Sequence, residues 1–180
     1  MKLLWFLILA FTGLQAGTAG EAAGSVPAAA ASSPPASFQV RNKKYGELLR
    51  PRDANNANGT PLVLYPAQPW KCMTWKFHPA GDSTFQLQNH FTSKTFAAAE
   101  AGQAQPPVSQ LPFAKEPAAR PAWKFSKLAD GAYRITDSKS GKVLAAVKDD
   151  AGLHVVEQTW QDTDEQKWEL LPIDPKELTM

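Results

Sequence analysis

The chain is 180 residues long and carries 19 Lys and Arg against 17 Asp and Glu, a formal net charge of +2, with 15 prolines, 11 glycines and one cysteine, Cys72. Its basic residues are scattered, with no basic run and no interleaved aromatics, so nothing supports nucleic-acid binding. A single cysteine excludes an intrachain disulfide, and the length suits one domain.

The first residues are Met1-Lys2, an apolar run from Leu3 to Leu14, then the small residues Gly17-Thr18-Ala19-Gly20. A basic start, an apolar core and a small-residue exit predict a secretory signal peptide over 1–20, cut after Ala19 or Gly20. The run is shorter than the roughly 20 residues a membrane span needs, so the mature form is expected to have no span. No cysteine sits near the cut to take a lipid anchor. Loss of Lys2 leaves 18 basic against 17 acidic residues, a net charge of about +1. Residues 21–36 are rich in Ala, Pro and Ser and bury little, which predicts a flexible linker. The expected location is secreted or periplasmic, and the lack of a disulfide leans towards a bacterial setting.

From residue 37 onwards one phrase occurs three times. The copies open at Phe38-Gln39-Val40-Arg41-Asn42, Phe85-Gln86-Leu87-Gln88-Asn89 and Tyr133-Arg134-Ile135-Thr136-Asp137. They close at Trp75-Lys76-Phe77, Trp123-Lys124-Phe125 and Trp168-Glu169-Leu170. The opening aromatics are 47 and 48 positions apart and the closing tryptophans 48 and 45. Two separate anchors in step mark a threefold repeat. Each opening alternates apolar and polar residues, the pattern of a half-buried strand. A turn leads to a second anchor at Leu48-Leu49, Phe96 and Val143-Leu144. A third anchor falls 13 residues before the tryptophan at Leu62 and Val155, whereas copy two has Gln110 at that spacing.

About four short strands per copy, no sustained helical periodicity and frequent Pro and Gly predict an all-β domain of about twelve strands over 37–172. Three copies of about 47 residues around a pseudo-threefold axis describe a β-trefoil. Trp75, Trp123 and Trp168 are then core residues, Cys72 is buried, and residues 173–180 form a tail expected to fray.

Copy three resembles the ricin-type (ricin B-chain-like) β-trefoil lectin repeat. The resemblance rests on Ile135 to Leu144, on Gly152-Leu153-His154-Val155-Val156-Glu157-Gln158, and on the Gln-x-Trp signature Gln166-Lys167-Trp168. It extends more weakly over copies one and two, where Met73 and Pro121 replace the signature Gln. In that family sugar binding joins an Asp after the second-strand Leu, an aromatic after the Val segment, and an Asn a few residues on. Here the Asp positions hold Arg50, Ala97 and Ala145. The resemblance therefore implies the fold while removing all three family carboxylates.

The aromatic position holds Tyr65, Phe113 and Gln158, and the amide position Gln68, Glu116 and Gln161. Copy one keeps Tyr65 and Gln68, with Trp70 close by and Asp53 as a substitute acceptor. Copy three keeps Trp160, exposed in a polar loop, with Gln161 and Asp162. Copy two is expected to be structural. The candidate carbohydrate-binding residues are thus Tyr65, Gln68, Asp53, Trp160, Gln161 and Asp162. His78, His90 and His154 lack metal-ligand spacing, and no nucleophile elbow or phosphate loop is present, so no metal, cofactor or catalytic group is expected. Two functions remain open. One is an exported, non-catalytic module that binds a glycan or polysaccharide. The other is a trefoil that has lost its sugar sites and acts as a protein-interaction or inhibitor domain.

Overall fold

The structure is a computed structural model that describes residues 37–81, 83–99, 107–116, 121–150 and 152–179. The expected signal peptide and linker lie outside the described residues. Each copy supplies four strands. Copy one gives β1 (Ser37–Asn42), β2 (Leu48–Pro51), β3 (Leu62–Tyr65) and β4 (Thr74–Gly81). Copy two gives β5 (Thr84–Asn89), β6 (Thr95–Ala98), β7 (Val108–Leu111) and β8 (Trp123–Lys127). Copy three gives β9 (Tyr133–Asp137), β10 (Val143–Asp149), β11 (Gly152–Gln158) and β12 (Lys167–Pro172).

The first and fourth strands of the copies pair in a closed ring, β1-β12-β9-β8-β5-β4 and back to β1. Closure removes the exposed edges that an open sheet would present. The hairpins β2–β3, β6–β7 and β10–β11 cover the ring and meet one another in rotation, through Pro61 with Ser109, Pro107 with Val156, and Val63 with His154. This is the β-trefoil.

The two anchors stay in step because they are cross-strand partners. Phe38 stands opposite Trp75, Phe85 opposite Trp123 and Tyr133 opposite Trp168. All three tryptophans are buried, and each indole N–H donates to the carbonyl of the second-strand anchor: Leu49 at 3.1 Å, Phe96 at 3.4 Å and Leu144 at 2.9 Å. Each copy therefore hides a large apolar surface without orphaning its one polar atom. Phe77, Phe85 and Phe125 pack edge-on or tilted in the ring's interior, with centroids 5.0–5.8 Å apart.

The Asn or Asp that ends each opening strand builds the turn after it. Asn42 and Asn89 accept from the backbone N–H groups two and three residues on, and Asp137 from that of Lys139. The fourth turn residue has positive φ in every copy: Gly46 at 68°, Ser93 at 57° and Gly141 at 70°. Glycine enters that conformation without a Cβ penalty, and copy two pays it with a serine.

Two expectations are corrected. In copy two, Phe96 faces Gln110 as Leu49 faces Leu64, so the third-strand core anchor equivalent to Leu62 is Val108 and not Gln110. Twelve positions separate Leu111 from Trp123, against ten from Tyr65 to Trp75 and from Gln158 to Trp168. Counting back from Trp123 therefore lands two residues late. Gln110 is buried with its amide satisfied. It donates to Asn55 O at 2.8 Å and accepts from Thr92 Oγ1 at 2.6 Å, which ties the copy-one loop to copy two.

The segment expected to fray is docked as far as Thr179. Thr179 N–H donates to Pro69 O at 2.8 Å, and Lys71 N–H to Thr179 O at 3.1 Å. Among the described residues no helix is long and apolar enough to cross a membrane.

Candidate functional site

In copy one, β2 runs Leu48-Leu49-Arg50-Pro51 and ends in a short turn where Asp53 and Ala54 take left-handed φ values of 54° and 51°. The strand alternation puts Leu49 into the barrel core and Arg50 on the opposite side. Arg50 is nonetheless only 7% exposed. Its guanidinium carbon lies 4.8 Å from the centroid of Tyr65 and 5.8 Å from that of Trp70, and these two rings stack at 6.0 Å and 30°. Register accounts for Tyr65, which stands opposite Leu48 at the end of β3. The docked C-terminus accounts for Trp70, which bridges to Thr179. Cation–π contacts of this kind contribute about 0.5–2 kcal/mol each and offset part of the cost of burying the charge.

Arg50, Asp53, Ala54, Trp70, Cys72 and Phe91 line a mostly apolar cavity of about 340 Å³, at the small end of the range for ligand pockets. Cys72 is buried and packs with Leu48 and Met73 beneath the site. Burial pushes its thiol pKa up, and the nearby Arg50 charge opposes that shift. Tyr65 is 44% and Phe91 48% exposed. Gln68 is exposed, and its backbone carbonyl accepts from Gln39 Nε2 at 2.8 Å.

Of the copy-one candidates, Tyr65 and Asp53 gather around Arg50 and Trp70, whereas Gln68 lies beyond them on the loop. Arg50 and Phe91 were missed. The first reads in sequence only as a lost carboxylate. The second reaches across from copy two. Its one sequence signal is an aromatic at a turn position where the other copies have Lys44 and Lys139.

Copy three is built differently. Gln166 is fully buried and holds the preceding loop: Oε1 accepts from Gln161 N–H at 2.7 Å, and Nε2 donates to Thr159 O at 2.8 Å. This supports Trp160, half-buried with the Arg134 guanidinium 5.3 Å from its ring centroid. Trp160 is thus less exposed than its polar neighbours suggest. Gln161 is exposed. Asp162 has φ 59° and pairs with Lys167 Nζ at 2.9 Å, so its carboxylate already has a cation partner. Lys167 also lies 3.8 Å from Asp164 and 3.9 Å from Asp130.

In copy two the residue in register with Tyr65 is Leu111, so Phe113 is not the equivalent aromatic. Phe113 packs on His78 at 4.8 Å instead. Ala97 and Ala145 hold the other two family-carboxylate positions, and Ala145 is fully buried. Among the described residues no cluster of His, Cys, Asp and Glu is arranged to hold a metal ion.

Residues 119–179 match the ricin-type beta-trefoil lectin domain-like family, which places the sequence match on copy three and the strand before it. No curated protein matches the chain. Among solved structures, the designed 3-fold symmetric protein ThreeFoil is similar at TM-score 0.68 and 20% identity, over 76% of this chain and 99% of that one. The exo-beta-1,3-galactanase 1,3Gal43A from Clostridium thermocellum is similar at TM-score 0.68 and 19% identity, over 77% of this chain but 30% of the enzyme. The earthworm R-type lectin C-half, solved in complex with GalNAc, is similar at TM-score 0.58 and 19% identity, over 77% of this chain and all of that domain. The chain thus resembles the ricin-type lectins in sequence over its last third and in fold over about three quarters of its length.

Proposed function

We propose that the protein is an exported, non-catalytic carbohydrate-binding module that holds a glycan or polysaccharide weakly and at more than one point. The observation that carries this reading is the Tyr65–Trp70 ring pair beside an open apolar cavity, on a lectin-like trefoil. Aromatic faces pack on the C–H faces of sugar rings, and a few placed polar groups fix orientation. Asp53 supplies an acceptor in copy one, with Gln68 beyond the rings. Copy three offers Trp160 with Gln161, and Asp162 after exchange with Lys167. Without a carboxylate at the family positions, each site is expected to bind with a dissociation constant on the order of 0.1–1 mM, about −4 to −5.5 kcal/mol. Two sites on one domain gain avidity on any polymer that engages both.

The test is polysaccharide pull-down and titration with the mature protein. Tyr65→Ala or Trp160→Ala is expected to weaken binding about tenfold or more, a loss of about 1.4 kcal/mol, with the fold intact by circular dichroism. Full binding by the double variant would overturn the site assignment. Export rests on the leader pattern of residues 1–20, and N-terminal sequencing of exported protein should read from Gly20 or Glu21. A retained Met1 would contradict it. Ala97 and Ala145, at two of the three family-carboxylate positions, favour the second reading, a trefoil that binds a protein partner. That reading takes first place if the wild type binds no glycan.

A further inference from the structure

The residue that cancels the family carboxylate in copy one also reverses its sign. Arg50 is over nine-tenths buried and lines the cavity. Among the described residues its guanidinium makes one hydrogen bond, from Nε to Pro51 O at 3.1 Å, and no carboxylate pairs with it. Asp53 lines the same cavity without closing an ion pair onto Arg50. Among the described residues the Nη donors have no protein acceptor, yet they are not among the buried polar atoms sealed from solvent. A buried charge without a counter-ion is costly, and buried charges are ordinarily paired. Tyr65 and Trp70 hold the fork in place, so its donors are organised before any ligand arrives.

Resting on the glycan-binding reading, we infer that the copy-one cavity takes a ring-bound carboxylate, meaning an acidic sugar residue of the uronic-acid class. Arg50 meets the carboxylate through its planar fork, which matches that group in two parallel hydrogen bonds. The Trp70 face takes the apolar side of the ring, and Asp53 accepts from a neighbouring hydroxyl. Arg50 alone matches the single negative charge of a carboxylate, and Asp53 repels any anion in proportion to its charge. A phosphate monoester, at about −1.5 to −2, would meet only half compensation there and repulsion from Asp53.

The experiment compares polygalacturonate with the same polymer after its carboxyls are reduced to primary alcohols. Titrations use the mature wild type, Arg50→Gln and Lys148→Gln. The last removes one exposed charge from copy three and controls for diffuse attraction between a basic surface and a polyanion. The wild type is expected to bind the acidic polymer at least tenfold tighter than the reduced one. Arg50→Gln should bind the two alike, and Lys148→Gln should keep the preference. Equal wild-type binding to both polymers, or an equal loss of preference in both variants, overturns the inference while leaving the module a glycan binder. Binding to neither polymer overturns this inference, and binding to no polysaccharide at all removes the glycan reading too. Should Arg50→Gln fail to fold, Arg50→Lys takes its place: it keeps the charge and loses the planar fork, so it should lose most of the preference, and an unchanged preference overturns the inference.

Discussion

Glu157 offers a stability test independent of any ligand. It stands opposite Leu144 on β11, is 2% exposed, and accepts from Ser140 Oγ at 3.0 Å through Oε2, while Oε1 has no hydrogen-bond partner among the described residues. Burial, and then the neighbouring Asp137 carboxylate, push its pKa up to about 7 from 4.5. An acid with a raised folded-state pKa stabilises the fold fully below its unfolded value, and that stability is lost as pH rises through the folded value. The window here is about pH 4.5 to 7. The stability lost across that window is on the order of 3 kcal/mol by pH 8.

Glu157→Gln should remove this slope. Gln110 already occupies the same register position in copy two, so an amide fits there. The variant should match the wild type within about 1 kcal/mol at pH 5 and exceed it by roughly 2 kcal/mol at pH 8. The assay is urea unfolding followed by tryptophan fluorescence at several pH values. His90 contributes a slope of opposite sign to both proteins, so the difference curve isolates Glu157. Parallel pH profiles for the two proteins between pH 5 and 8 would refute the assignment.

The remaining predictions concern other parts of the fold. Burial, followed by Lys76 and Lys71, lowers the His90 pKa to about 4, so stability should fall as pH drops from about 6.5 towards 4, and His90→Gln should flatten that limb. Trp168→Ala should cost about 3–5 kcal/mol in thermal or urea unfolding, the usual effect of truncating a core aromatic, whereas Trp160→Ala should cost under 1 kcal/mol. Gln110→Leu should destabilise by about 1–3 kcal/mol, because Asn55 O and Thr92 Oγ1 lose their buried partner. Deleting residues 178–180 removes the two backbone bonds around Thr179 and should cost about 1–3 kcal/mol. Its larger effect should be weaker binding at the copy-one site, since Trp70 loses its support, and calorimetry with and without the deletion measures both.

The fold was legible because its information is carried by side chains that must be buried together. Phe38 with Trp75, Phe85 with Trp123 and Tyr133 with Trp168 are paired neighbours, so neither member of a pair can drift without exposing the other. Loop length carries no such constraint. Two extra residues between β7 and β8 therefore went unseen, and Gln110 and Phe113 were each placed one alternation period away from their true equivalents. The C-terminal strap was invisible for a related reason: it is made by backbone atoms of Pro69, Lys71 and Thr179, which every sequence possesses.

The site was half legible. Tyr65, Asp53 and Trp160 were legible as candidates, and the structure puts Tyr65 and Asp53 beside one cluster. Arg50 was read by subtraction, as a missing carboxylate. Its meaning depends on which groups surround the guanidinium, and those come from β3, from the strap-held loop, and from a copy-two turn about 40 residues on. A threefold fold lets this happen at low cost. The ring and its tryptophans must keep the symmetry, because each copy completes the same shared core. The rim packs against nothing in common, so Arg50, Ala97 and Ala145 can occupy equivalent positions with unlike chemistry, and the copies are free to acquire different functions.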